Sequence, residues 1–311
     1  MRALVVGAAG QDGTILTAQL RSAGVEVLPI GRPDPSGSCV DIGDPRQIER
    51  VIKMFDPDEV YYLAAHHHSA EQVVDDAAGL RARSWAINTH AFEELLALVV
   101  TVPKRPAVFY ASSSRIFAGT PEGLKDERSP RAPTCIYGLS KATAMEIAGF
   151  FRRTHGLRIA CGILFNHESR LRKPHFVSRR IVDGLLAVHH READSLQLGN
   201  LSARVDWGFA PDYVRAMRLM LAQREPEDCV VATGEAHSVR DMVEAAAELI
   251  GVRWQDHVVE NNALLQRAPL AHVGDATRLR STTGWTPSID FHGLVRRLVE
   301  DAIAERREQG Q

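Results

Sequence analysis

A short apolar run, Ala3-Leu4-Val5-Val6, ends at Gly7. It is followed by Ala8-Ala9-Gly10-Gln11-Asp12-Gly13 and then by a helical pattern from Thr14. No other stretch limits the fold as strongly. Glycine lets the backbone turn sharply and come close to another group. A helix starting there presents unpaired backbone N–H groups and the positive end of its dipole. Strand, glycine turn and helix in that order form the diphosphate cradle of a parallel α/β sheet, so Gly7, Gly10, Gln11, Asp12 and Gly13 are expected to bind a dinucleotide. The spacing is G-x-x-G-x-x-G. Its weight comes from its place at the start of the chain, between strand and helix.

The chain continues in the same rhythm. Apolar runs at 25–30, 59–63, 107–110 and 158–164 read as strands, and 39–41 reads as a further short one. Amphipathic stretches at 14–23, 45–55, 88–100 and 135–154 read as helices. Strands alternating with helices of this length build right-handed βαβ units, so the fold class is α/β with a doubly wound parallel sheet. After Asn166 the rhythm breaks. Residues 1–165 are read as the dinucleotide-binding domain and 166–311 as a smaller C-terminal substrate lobe. Segments near 210–235, including Val230-Val231-Ala232, return to the first domain, and 305–311 read as a polar helix end or tail.

Composition excludes several classes. The formal net charge is −2 and no Lys/Arg run stands out, which argues against nucleic acid or an anionic membrane as partner. No apolar stretch nears the ~20 residues of a membrane span, and the apolar start is too short for a signal peptide. A cytoplasmic protein is expected. The cysteines, Cys39, Cys135, Cys161 and Cys229, are scattered singly and suggest neither disulfides nor zinc. His66-His67-His68 follows the strand at 59–63. Adjacent residues on extended backbone face opposite ways, so no metal is expected there. The loop does lie at the carboxyl edge of the sheet, which leaves two roles open, a pocket wall or an acid/base.

Tyr137-Gly138-Leu139-Ser140-Lys141 places tyrosine and lysine four apart on one face of a helix. A nearby ammonium favours phenolate, and the phenol can then exchange a proton with a substrate hydroxyl. A serine-rich strand end, Ser112-Ser113-Ser114, precedes it. The second strand ends at Ile30-Gly31-Arg32, where an NAD site carries a carboxylate for the ribose. Arg32 instead suits a 2′-phosphate, which favours NADP with NAD as the alternative. Asp41 and Ile42 would lie beside the adenine in either case.

In order, the glycine turn, Leu63-Ala64-Ala65, Asn88, the serine strand end, Tyr137 and Lys141 resemble the extended short-chain dehydrogenases/reductases. Narrower blocks at 10–13, 162–169, 198–201 and 232–240, with Asp206-Trp207-Gly208, resemble GDP-mannose 4,6-dehydratase over nearly the whole chain. The resemblance implies a small sugar-containing substrate and a homodimer or homotetramer. It implies oxidation at C4 of the sugar, removal of the C5 proton, loss of water from C6 and hydride return. Leu63, Ala64 and Ala65 would line the cofactor. Ser113 would bind the hydroxyl, Tyr137 act as acid/base with Lys141 as its electrostatic partner, and Asn166 approach the phosphates.

Three positions depart from the family pattern. The glutamate that serves as C5 base is replaced by Arg115, which cannot accept a proton. The arginine before Asp-Trp-Gly is Val205. The later nucleotide clamp keeps Arg267 but loses its glutamate. His66 or His68 is therefore a candidate acid/base, and Arg170, Arg172, Arg180 and Arg267 are candidate cations for a diphosphate. The eroded clamp points to a different nucleotide sugar or a nucleoside. A 4-epimerase or 4-ketoreductase would not need the lost glutamate. A protein that only senses NADP would not need Ser113, Tyr137 and Lys141 together.

Overall fold

The computed structural model describes residues 1–31, 40–67, 76–261, 263, 271–308 and 310. The first half contains β1 (Arg2–Val6), α1 (Gln11–Ser22), β2 (Glu26–Ile30), α2 (Pro45–Phe55), β3 (Glu59–Tyr62), α3 (Ala77–Trp85), α4 (Ala91–Thr101), β4 (Ala107–Ala111), β5 (Gly123–Lys125), α5 (Ile136–His155) and β6 (Ile159–Leu164). Six parallel strands form the main sheet in the order β11-β6-β4-β3-β1-β2, where β11 is Cys229–Val231. Every residue of β4 and β6 is buried. Strands covered on both faces must be apolar throughout, which is why these segments are continuous apolar runs and do not alternate. Helix α1 packs on one side with α7 (Ala210–Leu221), and α4 packs with α2 and α5. The chain steps from β1 to β2 on one side and to β3 on the other. This opens a crevice at the carboxyl ends, directly over the glycine turn.

Two local expectations are corrected. The strand at 39–41 begins at Cys39, outside the described residues, and Val40 and Asp41 form no strand. Asp41 instead makes a turn: its carboxylate accepts the Gly43 N–H at 2.9 Å and its own N–H donates to Gln47 Oε1 at 3.0 Å. A short acidic side chain that bonds nearby backbone competes with strand pairing. The helix expected at 88–100 belongs to a longer one, because α3, a π turn at Ala86–His90 and α4 follow without a break.

The remaining elements are β7 (Asn166–Glu168), α6 (Val177–His189), β8 (Leu196–Leu198), β9 (Arg204–Val205), β10 (Trp207–Phe209), β12 (His237–Ser238), α8 (Val239–Ile250), β13 (Val258–Glu260), β14 (His272–Gly274), α9 (Thr277–Thr283) and α10 (Phe291–Glu308). Ile181, Leu185, Met242, Val243, Leu294 and Leu298 join α6, α8 and α10 in a second apolar cluster, distinct from the one around the main sheet. Asp206 stitches this region to the rest. Its buried carboxylate accepts the N–H groups of Thr233, Gly234 and Gly274 at 3.0–3.1 Å and the Thr233 hydroxyl at 2.6 Å. Among the described residues, no helix is long and apolar enough to cross a membrane.

Candidate active site

The glycine turn is built by close approach. Gly7 sits at φ 91°, and a Cβ there would lie 2.6 Å from the Ala64 nitrogen. A Cβ on Gly13 would lie 2.3 Å from the Gly7 oxygen. The N–H groups of Gly7 and Ala8 both donate to Ile30 O, and Leu63 N–H donates to Val6 O at 2.8 Å, so the turn is pinned between β2 and the end of β3. Gly10 caps α1 with no side chain over the first N–H groups. An added Cβ there would meet only Gly7 O, at 3.4 Å, so the helix start is open to an anion. These features fit a dinucleotide's diphosphate. Ala64 adjoins Gly7, Ile42 packs against the sheet cluster, and Ala65 and Asp41 are exposed. Gly31 packs on Ala9, while Arg32 lies outside the described residues.

Gln11 and Asp12, read from the sequence as cofactor residues, face the protein. Gln11 donates to His167 O at 3.1 Å and accepts the Ser169 hydroxyl at 2.9 Å. Both Asp12 oxygens lie 3.0 Å from His167 Nε2. The other ring nitrogen, Nδ1, is 2.7 Å from Phe165 O. A carbonyl and a carboxylate only accept, so His167 donates from both nitrogens and is an imidazolium. Burial opposes both charges, but their mutual attraction outweighs it: Asp12 is held below the ordinary range and His167 above. The pair neutralises a carboxylate that would otherwise face the diphosphate, and it ties the glycine turn to β7.

Ser113, Arg115, Tyr137 and Lys141 do converge. Ser113 caps the 3-10 turn Ser114–Phe117 and accepts the Arg115 N–H at 3.3 Å. It also faces the Tyr137 phenol closely enough to favour its ionised form. Gly138 is what lets the two elements meet. A Cβ there would stand 2.6 Å from Arg115 O, so only glycine lets this turn pack onto α5 and bring Ser113 to Tyr137. Burial pushes the phenol up to about 12; the Ser113 hydroxyl and then the Arg172 and Arg115 charges pull it down. Lys141 Nζ is 5.8 Å from the Tyr137 ring centroid, but its ammonium is turned to Ala111 O at 2.7 Å, since a buried cation needs an acceptor. Burial brings Lys141 down to about 7.

The π turn seats Asn88 fully inside. It accepts the His66 N–H at 2.8 Å and donates to His66 O and Ser140 Oγ, locking the histidine loop to α5. The two described histidines of that loop stand in different surroundings. His66 is half-buried and feels the Arg83 charge, whereas the His67 ring lies edge-on to Tyr137 with centroids 4.6 Å apart. The reason is geometric: Asn88 fixes the backbone of His66, and the next side chain points the other way. His68 lies outside the described residues. Arg172 lies over the Phe176 ring at 3.8 Å and pairs with buried Glu168 at 3.0 Å.

Of the expected substrate residues, Asn166 is exposed at the sheet edge, paired in register with Trp207. Arg180 donates to Gln197 O at 2.7 Å, beside the β8–β13 pair, and Arg267 lies outside the described residues. Val205 packs on the second apolar cluster, and Arg204 donates to Ala236 O.

A family model described as GDP-mannose 4,6 dehydratase matches residues 4–298. GDP-mannose 4,6 dehydratase 1 of Arabidopsis thaliana is 33% identical over 99% of this chain and 91% of its own length. The structure of RMD from Pseudomonas aeruginosa complexed with NADPH superposes with a TM-score of 0.82 at 24% identity, covering 98% of this chain and 99% of that one. UDP-glucose 4-epimerase of Thermotoga maritima, solved with UDP-glucose, gives a TM-score of 0.85 at 19% identity over 100% of both chains. The two solved structures show the fold alone. With the family match running from β1 into α10, across both apolar clusters, the chain belongs to the GDP-mannose 4,6-dehydratase family.

Proposed function

We propose that this protein dehydrates a nucleotide sugar by transient oxidation at C4, using NADP. One observation carries the reading. Ser113, just past β4, and Tyr137, at the start of α5, stand together at the carboxyl edge of the sheet, where Ser113 favours the ionised phenol, in a chain that matches dehydratases along its length. Gly7, Gly10 and Gly13 would hold the cofactor diphosphate, with Ala64 and Ala65 beside it. When bound, the nicotinamide supplies hydride acceptance at C4 and hydride return at C6.

The protein supplies the proton chemistry. Ser113 orients the C4 hydroxyl, and Tyr137 takes its proton. A phenol at about 12 is too basic to be ionised at neutral pH, so the Arg172 and Arg115 charges matter: they lower the cost of phenolate at the moment of transfer. Asn166, Arg180 and Arg267 are the residues for the substrate's phosphates. A diphosphate buried without paired cations costs several kcal/mol, and Val205 is turned into an apolar cluster. GDP-mannose is therefore proposed to be a poor substrate, with another nucleotide sugar or a nucleoside as the true one.

A second reading, 4-epimerisation or 4-ketoreduction, uses the same Ser113, Tyr137 and Lys141, and Arg115 favours it because a guanidinium cannot take the C5 proton. The test is incubation of the NADP-loaded protein with GDP-mannose, UDP-glucose, UDP-N-acetylglucosamine and dTDP-glucose, followed by mass analysis. Loss of water supports the dehydratase, and an epimer of unchanged mass supports the alternative. Oxidation with no further product would overturn both.

A further inference from the structure

We infer that Tyr110, on β4, is a positioning residue for Lys141: its ring face seats the lysine's ammonium beside Tyr137. This rests on the reading of Tyr137 as the acid/base at C4. A lysine sealed inside a protein gives up its charge unless something replaces the water it has lost. Ala111 O, at 2.7 Å, accepts one of its N–H bonds. The Tyr110 ring offers a second partner, with Nζ 4.6 Å from its centroid, closer than the 5.8 Å to the Tyr137 centroid. An aromatic face carries negative potential. It attracts a cation within about 6 Å, and more strongly where water is excluded. Tyr110 is fully buried and Lys141 is 1% exposed, so this contact is dry.

The ring is held in place for that contact. Its hydroxyl donates to Asn88 O, in the π turn, at 2.7 Å. Phe92 packs on it with centroids 4.3 Å apart, and Tyr62 stacks at 5.9 Å with its own hydroxyl on Ile87 O. The same π turn grips α5. Asn88 donates to Ser140 Oγ at 3.0 Å, and the Thr89 hydroxyl donates to Ser140 O at 3.1 Å. Ser140 is the residue before Lys141. One π turn therefore fixes both the ring and the backbone that carries the lysine. Tyr137 lies about one helical turn earlier on α5, so its spacing from the ammonium is set by the same bracket.

Tyr110 moves no proton itself. Burial raises its phenol well above the ordinary value, and it does the same to Tyr62 and to the Cys161 thiol of β6 that faces the lysine. Arg115, in the turn after β4, acts on Tyr137. The charged or titratable side chains of α3, the π turn and α4, namely Arg81, Arg83, His90, Glu93 and Glu94, are exposed. With burial bringing Lys141 to about 7, a ring that favours the ammonium keeps part of the lysine charged at neutral pH. A charge beside Tyr137 lowers the cost of phenolate when the C4 hydroxyl gives up its proton.

The experiment compares NADP-loaded wild type, Tyr110→Phe and a ring-fluorinated phenylalanine placed at position 110. Fluorination keeps the ring's shape and cancels its negative face. The lysines are Lys53, Lys104, Lys125, Lys141 and Lys173, so an NMR spectrum of isotope-labelled lysine is sparse, and Lys141→Met assigns the signal. Retained NADP shows that each variant is folded. Lys141 in Tyr110→Phe should titrate within a few tenths of a pH unit of wild type. With the fluorinated ring it should titrate about 1 unit lower, the size of a dry cation–π contact. Water loss from the nucleotide sugars named above, at neutral pH, should be about five-fold slower with the fluorinated ring than in Tyr110→Phe, because the ammonium fraction falls from about one half to about one tenth. An unshifted lysine under the fluorinated ring would overturn the inference. So would an equal shift in Tyr110→Phe, which would assign the effect to the hydroxyl, or an unchanged rate over a shifted lysine. If wild type releases no water from any of these sugars, the dehydratase reading fails, while the titration still decides whether the ring seats the lysine.

Discussion

Replacing Lys141 with methionine should make the cofactor-free protein more stable while abolishing its chemistry. Lys141 is 1% exposed. Among the described residues, its ammonium has one carbonyl, Ala111 O at 2.7 Å, and the Tyr110 ring with its centroid at 4.6 Å, but no carboxylate. Burial lowers it from 10.5 to about 7. Between those values the unfolded chain binds a proton that the folded chain does not, so stability contributed by this residue rises with pH. Below about 7 the full penalty applies. Each pH unit in that window is worth about 1.4 kcal/mol. From pH 7 to 9 wild type should therefore gain about 2 kcal/mol that the variant lacks. Lys141→Met keeps an unbranched chain in the space and removes the charge. Its stability advantage at pH 7 should shrink by about 2 kcal/mol at pH 9. Urea unfolding of both proteins at pH 7, 8 and 9, read by tryptophan fluorescence, measures the gap, and other titrating groups cancel in the difference. A gap that does not change with pH would refute the assignment of a buried, nearly neutral lysine.

Tyr137→Phe should bind NADP normally and lose at least ~10²-fold in turnover, the usual acid/base contribution; near-normal turnover would remove the tyrosine from the chemistry. NADP should bind more tightly than NAD, and Arg32→Ala should narrow the difference. Calorimetric titration showing that wild type prefers NAD would contradict this. Gly13→Ala places a Cβ 2.3 Å from Gly7 O, so the turn must open. Calorimetry should show cofactor affinity lost, and unchanged affinity would mean that the turn does not hold the diphosphate.

Local patterns were readable in the sequence. The α2 helix has the bounds its Pro45 start suggests, with Asp44 as its cap, and Tyr137 and Lys141 share α5 because a spacing of four fixes their face. What escaped depends on partners distant in the chain. Asp12 meets His167 across 155 positions, so this pairing could not be read from the glycine motif. His67 is oriented by Tyr137 and Phe176 and by the Asn88 hold on its neighbour, none of which is adjacent in sequence. Helix α3 carries only one buried residue, Ser84, and gives no apolar stripe to detect. Gly138 was visible within Tyr-Gly-x-x-Lys, but the need for glycine appears only once Arg115 O packs against it.

The central claim is that hydride leaves C4 and returns to C6 as water departs. It is tested most directly with whichever of the nucleotide sugars named above the protein turns over, deuterated at C4. The product should be lighter by one water, with the label in the C6 methyl group. Label retained at C4, in a product that has lost no water, would contradict it.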